Sequence, residues 1–131
     1  LIHGLPTYLL VHAVIFLYPC FSGLRMVKIT IENLAQKELF AKPGVSVLKI
    51  VQENFIDWMH ACGGKGRCTT CRFIVVQGSD QFYPRTKVEE NYQKRGDLAD
   101  HERLACQAVP FGDCLIRVPE DCKLPHQEYS N

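Results

Sequence analysis

Ala61-Cys62-Gly63-Gly64-Lys65-Gly66-Arg67-Cys68-Thr69-Thr70-Cys71 packs three cysteines and three glycines into a stretch too short to be a hydrophobic element. It reads as a loop wrapped tightly around something that sulfur binds. The cysteines follow Cys-x5-Cys-x2-Cys, and a fourth, Cys106, comes after thirty-four intervening residues in Arg103-Leu104-Ala105-Cys106-Gln107. Four thiolates are enough to close a zinc site or an iron-sulfur centre.

The spacing and the glycines separate these two. Structural zinc sites take their cysteines from two short paired knuckles, whereas here three candidates share one loop and the fourth stands alone. A loop curling around a cluster must reach positive φ and bring its N–H groups close to the sulfurs, which glycine permits because it has no Cβ. Gly63, Gly64 and Gly66 meet that need. The plant-type spacing, Cys-x4-Cys-x2-Cys with a distant fourth cysteine, differs from this chain by one residue in the first gap. On these residues the chain resembles the [2Fe-2S] ferredoxins, and more closely their adrenodoxin-like branch, whose first gap is the longer one. The resemblance covers Val27 to Glu120 and implies an α+β fold of the β-grasp type, with a mixed sheet, one main helix and a cluster-binding loop. It also implies one [2Fe-2S] cluster, with Cys62, Cys68, Cys71 and Cys106 as its ligands.

Composition narrows the function classes. At 131 residues the chain is long enough for one modest core. Fifteen basic residues against fourteen acidic ones leave no excess charge for a polyanion, so nucleic acid is not an expected partner. Seven cysteines is an odd number and does not describe a secreted disulfide framework; a thiol-rich loop instead favours the cytoplasm or another reducing compartment. The stretch from Tyr8 to Phe21 is largely apolar, but His12 and Pro19 interrupt it, and it falls short of the ~20 residues that span a bilayer. It also lacks the basic start and small-residue cleavage site of a signal peptide. Residues 1–25 are therefore expected to be an apolar leader outside the native protein or, alternatively, a membrane anchor. The ferredoxin domain is expected over residues 26–131.

From Met26 onward the patterning gives the elements. Val27, Ile29 and Ile31 alternate with Lys28 and Thr30, predicting a strand with one buried face. Asn33 to Gln36 turns the chain, and Lys37 to Lys42 returns as a second strand with Leu39 and Ala41 inward, ended by Pro43-Gly44. Ser46 is placed to cap a helix whose Leu48, Val51 and Phe55 form an apolar stripe. Phe73-Ile74-Val75-Val76 is apolar on both faces and predicts a buried central strand closed by Gly78. Thr86 and Glu89 form a capping box for a short polar helix reaching about Arg95, with Gly96 as its C′ residue. Leu115 to Val118 predicts the last strand, stopped by Pro119, and Gln127 to Asn131 a loose tail.

Outside the motif, Cys20, Cys114 and Cys122 are expected to be ordinary small or semi-exposed residues. His60 precedes Cys62 by two residues, but a Rieske centre needs two histidines on one iron, and no second histidine stands at matching spacing. Lys65, Arg67 and Arg72 surround the loop and are expected to offset the negative charge of a reduced cluster. In adrenodoxin-like proteins an acidic helical region between the third and fourth cysteines meets the reductase. Here Glu89, Glu90, Asp97, Asp100 and Glu102 occupy that region, with Lys87, Lys94, Arg95 and Arg103 mixed among them.

No nucleophile-base pair and no nucleotide-binding loop accompanies the cysteines. The expected function is that of a monomeric one-electron carrier, not an enzyme, serving a ferredoxin reductase and an electron-acceptor enzyme, with membrane contact only through residues 1–25. The alternatives are a ferredoxin domain detached from a reductase or oxygenase, and a four-cysteine zinc module for protein interaction.

Overall fold

The computed structural model describes residues 25–130, so all of the apolar leader expected over residues 1–25 except Arg25, and Cys20 with it, lies outside the described residues. The strands are β1 (Val27–Ile31), β2 (Lys37–Ala41), β3 (Arg72–Gln77), β4 (Glu102–Leu104) and β5 (Cys114–Arg117), and the α-helices are α1 (Val47–Glu53) and α2 (Lys87–Lys94). The strands form one mixed sheet in the order β2-β1-β5-β3-β4. β1 and β2 pair as an antiparallel hairpin, β5 inserts parallel to β1, and β3 runs antiparallel to both β5 and β4. This is the α+β, β-grasp arrangement expected.

The alternation in β1 does what its period requires. Val27, Ile29 and Ile31 are buried, and register places Ile29 opposite Leu39 and Val27 opposite Ala41, so both strands turn the same face inward. On α1 the buried set is Val47, Leu48, Ile50 and Val51. Phe55 does not join it: the helix ends at Glu53, Phe55 takes a left-handed φ of 59°, and its ring is 96% exposed. The three-and-four spacing runs past the helix end, where Asn54 closes the last turn by donating its N–H and its side-chain amide back to helical carbonyls.

Two further expectations are corrected. The middle of the sheet is β5; β3 lies one strand further out, and a register irregularity between Val75 and Gln77 leaves Val76 exposed while Phe73 is fully buried. The tail is tied down as far as Ser130. Ser130 N–H donates to the Asn33 carbonyl at 2.9 Å, its hydroxyl accepts from Ala35 N–H at 2.9 Å, and Tyr129 packs against the core. A fully buried Asn33 secures the same corner, its amide donating to the Val118 carbonyl and its oxygen accepting from Val118 N–H, each at 2.9 Å.

Asn33→Ala leaves both Val118 groups without their partner, a loss of about 2–4 kcal/mol from two buried polar groups. Urea unfolding is the check: the midpoint is expected to fall with an unchanged slope.

Candidate metal centre

The loop from Ala61 to Cys71 is held from three sides. The first turn of α1 has free N–H groups, and two of them are spent on the chain that carries Cys106: Val47 N–H donates to the Ala108 carbonyl at 3.0 Å and Leu48 N–H to the Ala105 carbonyl at 2.9 Å. Ala105 N–H in turn donates to the Cys71 carbonyl at 3.2 Å, and Trp58 Nε1 donates to that same oxygen at 3.0 Å. Within the loop, Thr70 Oγ1 accepts from Ala61 N–H at 2.8 Å and lies 3.2 Å from the Cys68 sulfur. From the far side, Tyr92 on α2 donates its hydroxyl to the Gly66 carbonyl at 3.5 Å.

Two glycines are required by these contacts as well as by their backbone. Gly64 (φ 80°) and Gly66 (φ 71°) lie in the left-handed region, and a Cβ would come 3.0 Å from Leu48 Cδ2 at the first and 3.0 Å from Gln107 Nε2 and 3.2 Å from Val88 Cγ1 at the second. The helices therefore press directly on the loop backbone.

The four candidate cysteines form two pairs, Cys62 with Cys68 and Cys71 with Cys106. Partial burial raises the Cys62 thiol, but the N–H groups of Arg67, Lys65 and Gly64 and the Cys68 thiol outweigh it and lower the group to about 7. At Cys106 the Cys71 thiol donates first, and with Gln107 and the Gly66 N–H it brings the group down to about 6 despite burial. Donating to Cys106, and buried itself, the Cys71 thiol is pushed up. Among the described residues, no group of three or more Cys, His, Asp or Glu side chains is gathered to hold a metal ion. Two thiol pairs, with backbone N–H groups turned onto sulfur, fit a centre of two irons that take two thiolates each.

The other expected site residues divide. Lys65 and Arg67 are exposed on the loop. Arg72 is not available to offset a cluster's charge as expected, because its guanidinium pairs with Glu102 at 3.2 Å and with Asp121, and also donates to the Thr69 carbonyl. Cys114 and Cys122, expected to be ordinary small or semi-exposed residues, are buried. Burial, reinforced by Asp113, pushes the Cys114 thiol up to about 12, and burial pushes Cys122 up to about 11 against the pull of Arg72. His60 sits outside the pairs and turns Nδ1 to the Trp58 carbonyl.

Glu89 is the largest departure from expectation. It caps α2, as the Thr86 box requires, but it is fully buried and belongs to no docking surface. Its carboxylate accepts from Arg103 Nε at 2.7 Å, Arg103 Nη2 at 2.9 Å, Leu104 N–H at 3.0 Å and Thr86 N–H at 3.2 Å. This clamp joins α2 to β4 two residues ahead of Cys106. Spacing alone showed the capping box; nothing in the linear order marked Arg103 as the partner.

This sheet and loop define an iron-sulfur protein of the electron-transfer class. A model of the 2Fe-2S iron-sulfur cluster binding domain matches residues 30–111. The chain is 32% identical over 97 residues to 2Fe-2S ferredoxin-5 of Aquifex aeolicus, covering 72% of this chain and 100% of that protein. It is also 32% identical over 93 residues to one component of the Na(+)-translocating NADH-quinone reductase of Pseudomonas aeruginosa, spanning 71% of this chain but 22% of that relative. Among solved structures, the ISC-like [2Fe-2S] ferredoxin FdxB from Pseudomonas putida superposes with a TM-score of 0.57 at 30% identity, over 72% of this chain and 92% of that one. The chain belongs to the family of 2Fe-2S iron-sulfur cluster binding domains, and its cofactor is one [2Fe-2S] cluster.

Glu89→Gln removes the charge that Arg103 is buried against, at a cost of about 3–5 kcal/mol. Chemical unfolding of the variant is expected to show that loss, together with faster bleaching of the visible absorption as the Cys106 segment loosens.

Proposed function

We propose that the chain is a one-electron carrier in which Cys62 and Cys68 hold one iron, and Cys71 and Cys106 the other, of a [2Fe-2S] cluster. The observation that carries this reading is the match of residues 30–111 to the 2Fe-2S iron-sulfur cluster binding domain, with Cys62, Cys68, Cys71 and Cys106 all inside the matched span. The cluster supplies a single low-potential redox step, at roughly −400 mV by the plant-type reference. What the chain supplies is binding and exclusion of water: Leu48, Val88 and Tyr92 close the loop against the core, while Cys71 and Ala105 are fully buried behind it. Electrons arrive from a reductase and leave to an acceptor enzyme, with the chain working as a monomer in the cytoplasm or another reducing compartment. Among the described residues no helix is long and apolar enough to cross a membrane.

A second reading, a ferredoxin domain belonging to a larger reductase, is favoured by one observation. The match to the NADH-quinone reductase component covers most of this chain but only 22% of that relative. The two readings share the site and differ in whether the reductase is a separate protein; co-purification of a separate reductase supports the first.

Protein prepared without oxygen is expected to contain about two irons and two sulfides per chain and to bleach on reduction with dithionite, with a low-temperature EPR signal. Zinc in place of iron, with no signal, ends this reading. Replacing any one of Cys62, Cys68, Cys71 or Cys106 by Ser is expected to abolish or strongly weaken the absorption, whereas Cys114→Ser and Cys122→Ser keep it. A coloured Cys106→Ser protein overturns the ligand assignment.

The domain that carries this function is taken as residues 26–131. A shortened chain beginning at Met26 is accordingly expected to hold the same iron content as the full chain, and a colourless or insoluble product rejects that boundary.

A further inference from the structure

The loop between the first two cysteines contains two charged residues, both cationic, and no acid: Lys65 and Arg67 lie between Cys62 and Cys68. Both are exposed, and neither has an ion pair among the described residues. The helical turns that press on the loop carry two more exposed cations with no ion pair among the described residues, each followed one turn later by an exposed acid, Glu53 after Lys49 and Glu90 after Lys87. Lys49 follows Leu48, which faces Gly64, and Lys87 precedes Val88, which faces Gly66. Of the nearby acids, Glu90 on α2 and Glu53 on α1 are exposed, and the others have partners of their own. Glu89 is buried on Arg103, Glu102 holds Arg72, Asp97 holds Arg95, Asp57 holds His126, and Asp100 accepts from Gln93 at 2.6 Å. Of the acidic helical region implied by the resemblance, Glu89 and Glu102 are withdrawn into ion pairs while Glu90, Asp97 and Asp100 stay exposed, and the loop edge between Cys62 and Cys68 carries only positive charge.

We propose that this edge, carrying Lys65 and Arg67, is the docking face for an acidic surface on the redox partner. The occupant is a protein patch rich in Asp and Glu, selected by charge complementarity. Exposed charges of one sign steer encounter over about a Debye length, ~10 Å at 0.1 M salt, and set on-rate and orientation more than final affinity. Cys71 is closed off, while Cys62 and Cys68, which bracket the cations, are partly open, as is Cys106. This inference rests on the cluster reading above.

The test uses the full-length holoprotein, with iron and sulfide measured first. Oxidation of the dithionite-reduced protein, one electron per cluster, is followed with two small oxidants: anionic hexacyanoferrate(III), reduced to hexacyanoferrate(II), and cationic hexaamminecobalt(III), reduced to cobalt(II). Lys65→Glu/Arg67→Glu is expected to slow the anion by about tenfold or more at low ionic strength and to speed the cation, both effects fading with added salt. Lys37→Glu/Lys42→Glu, the same charge change on and beside β2, is expected to leave both rates within about twofold. Independently of turnover, polyglutamate is expected to protect Lys65 from acetylation at low salt while Lys37 and Lys42 remain labelled, read by mass spectrometry. Equal rate changes in the two double variants, or no change in either, overturn the docking face while the cluster stands. Loss of protection contrast does the same. Wild-type protein that holds zinc and no iron overturns the function itself, and with it this inference.

Discussion

The site depends on one buried ion pair. Glu89 and Arg103 are almost wholly removed from water, with side-chain exposures of 0% and 8%. A lone charge there would be prohibitive, and even a paired one repays its desolvation only when the geometry is good and every remaining group is bonded. Here both conditions hold. The guanidinium meets the carboxylate through two nitrogens, Leu104 N–H and Thr86 N–H fill the other acceptor positions, and the Arg103 guanidinium also lies 5.5 Å from the centre of the Phe82 ring. No buried side-chain nitrogen or oxygen among the described residues is left without a partner. The pair fixes the N-terminus of α2 to β4, which places Tyr92 and Val88 against Gly66 and sets the course of the chain into Cys106.

The loop is thus positioned by tertiary contacts from both helices more than by its own propensities. α1 works from the other side through its first-turn N–H groups, which bond the carbonyls of Ala105 and Ala108 on either side of Cys106 and its neighbour. The consequence is coupling between distant parts of the chain: the loop cysteines and Cys106 are separated by more than thirty residues in sequence yet share bonds through Cys71 and Ala105. A helix end is a natural place for such a junction, because its N–H groups need partners in any case.

What could be read from the chain follows from how local each feature is. The β1 alternation, the Ser46 cap and the Thr86 capping box depend on residues within a few positions of one another, and all three stand in the structure. The cysteine loop was legible because sulfur spacing and glycine placement are short-range constraints. The strand order, the β3 irregularity and the role of Glu89 were not, because each depends on a partner far away in sequence: β5 enters between β1 and β3, and Arg103 lies fourteen residues from Glu89. Phe55 misled for a related reason. An apolar residue at helical spacing is indistinguishable in sequence from one just past the helix end, and only the backbone turn at residues 54 and 55 separates them.

The molecule uses charge in two different ways, and burial decides which. The Glu89–Arg103 pair is locked in low dielectric, where breaking it would strand a charge, so it can hold the architecture but not exchange partners. Lys65 and Arg67 lie in water, where their interactions are weak and screened. That weakness suits a carrier, which must meet a partner quickly, pass one electron and leave. When an acidic surface approaches and displaces solvent, the effective dielectric falls and the same two cations attract more strongly, so the contact tightens as the cluster edge becomes shielded. Side-chain flexibility and rehydration then favour release. A network of buried, bidentate pairs at that edge would bind more rigidly and turn over more slowly, which is why the strong pair belongs behind the loop and the unpaired cations in front of it.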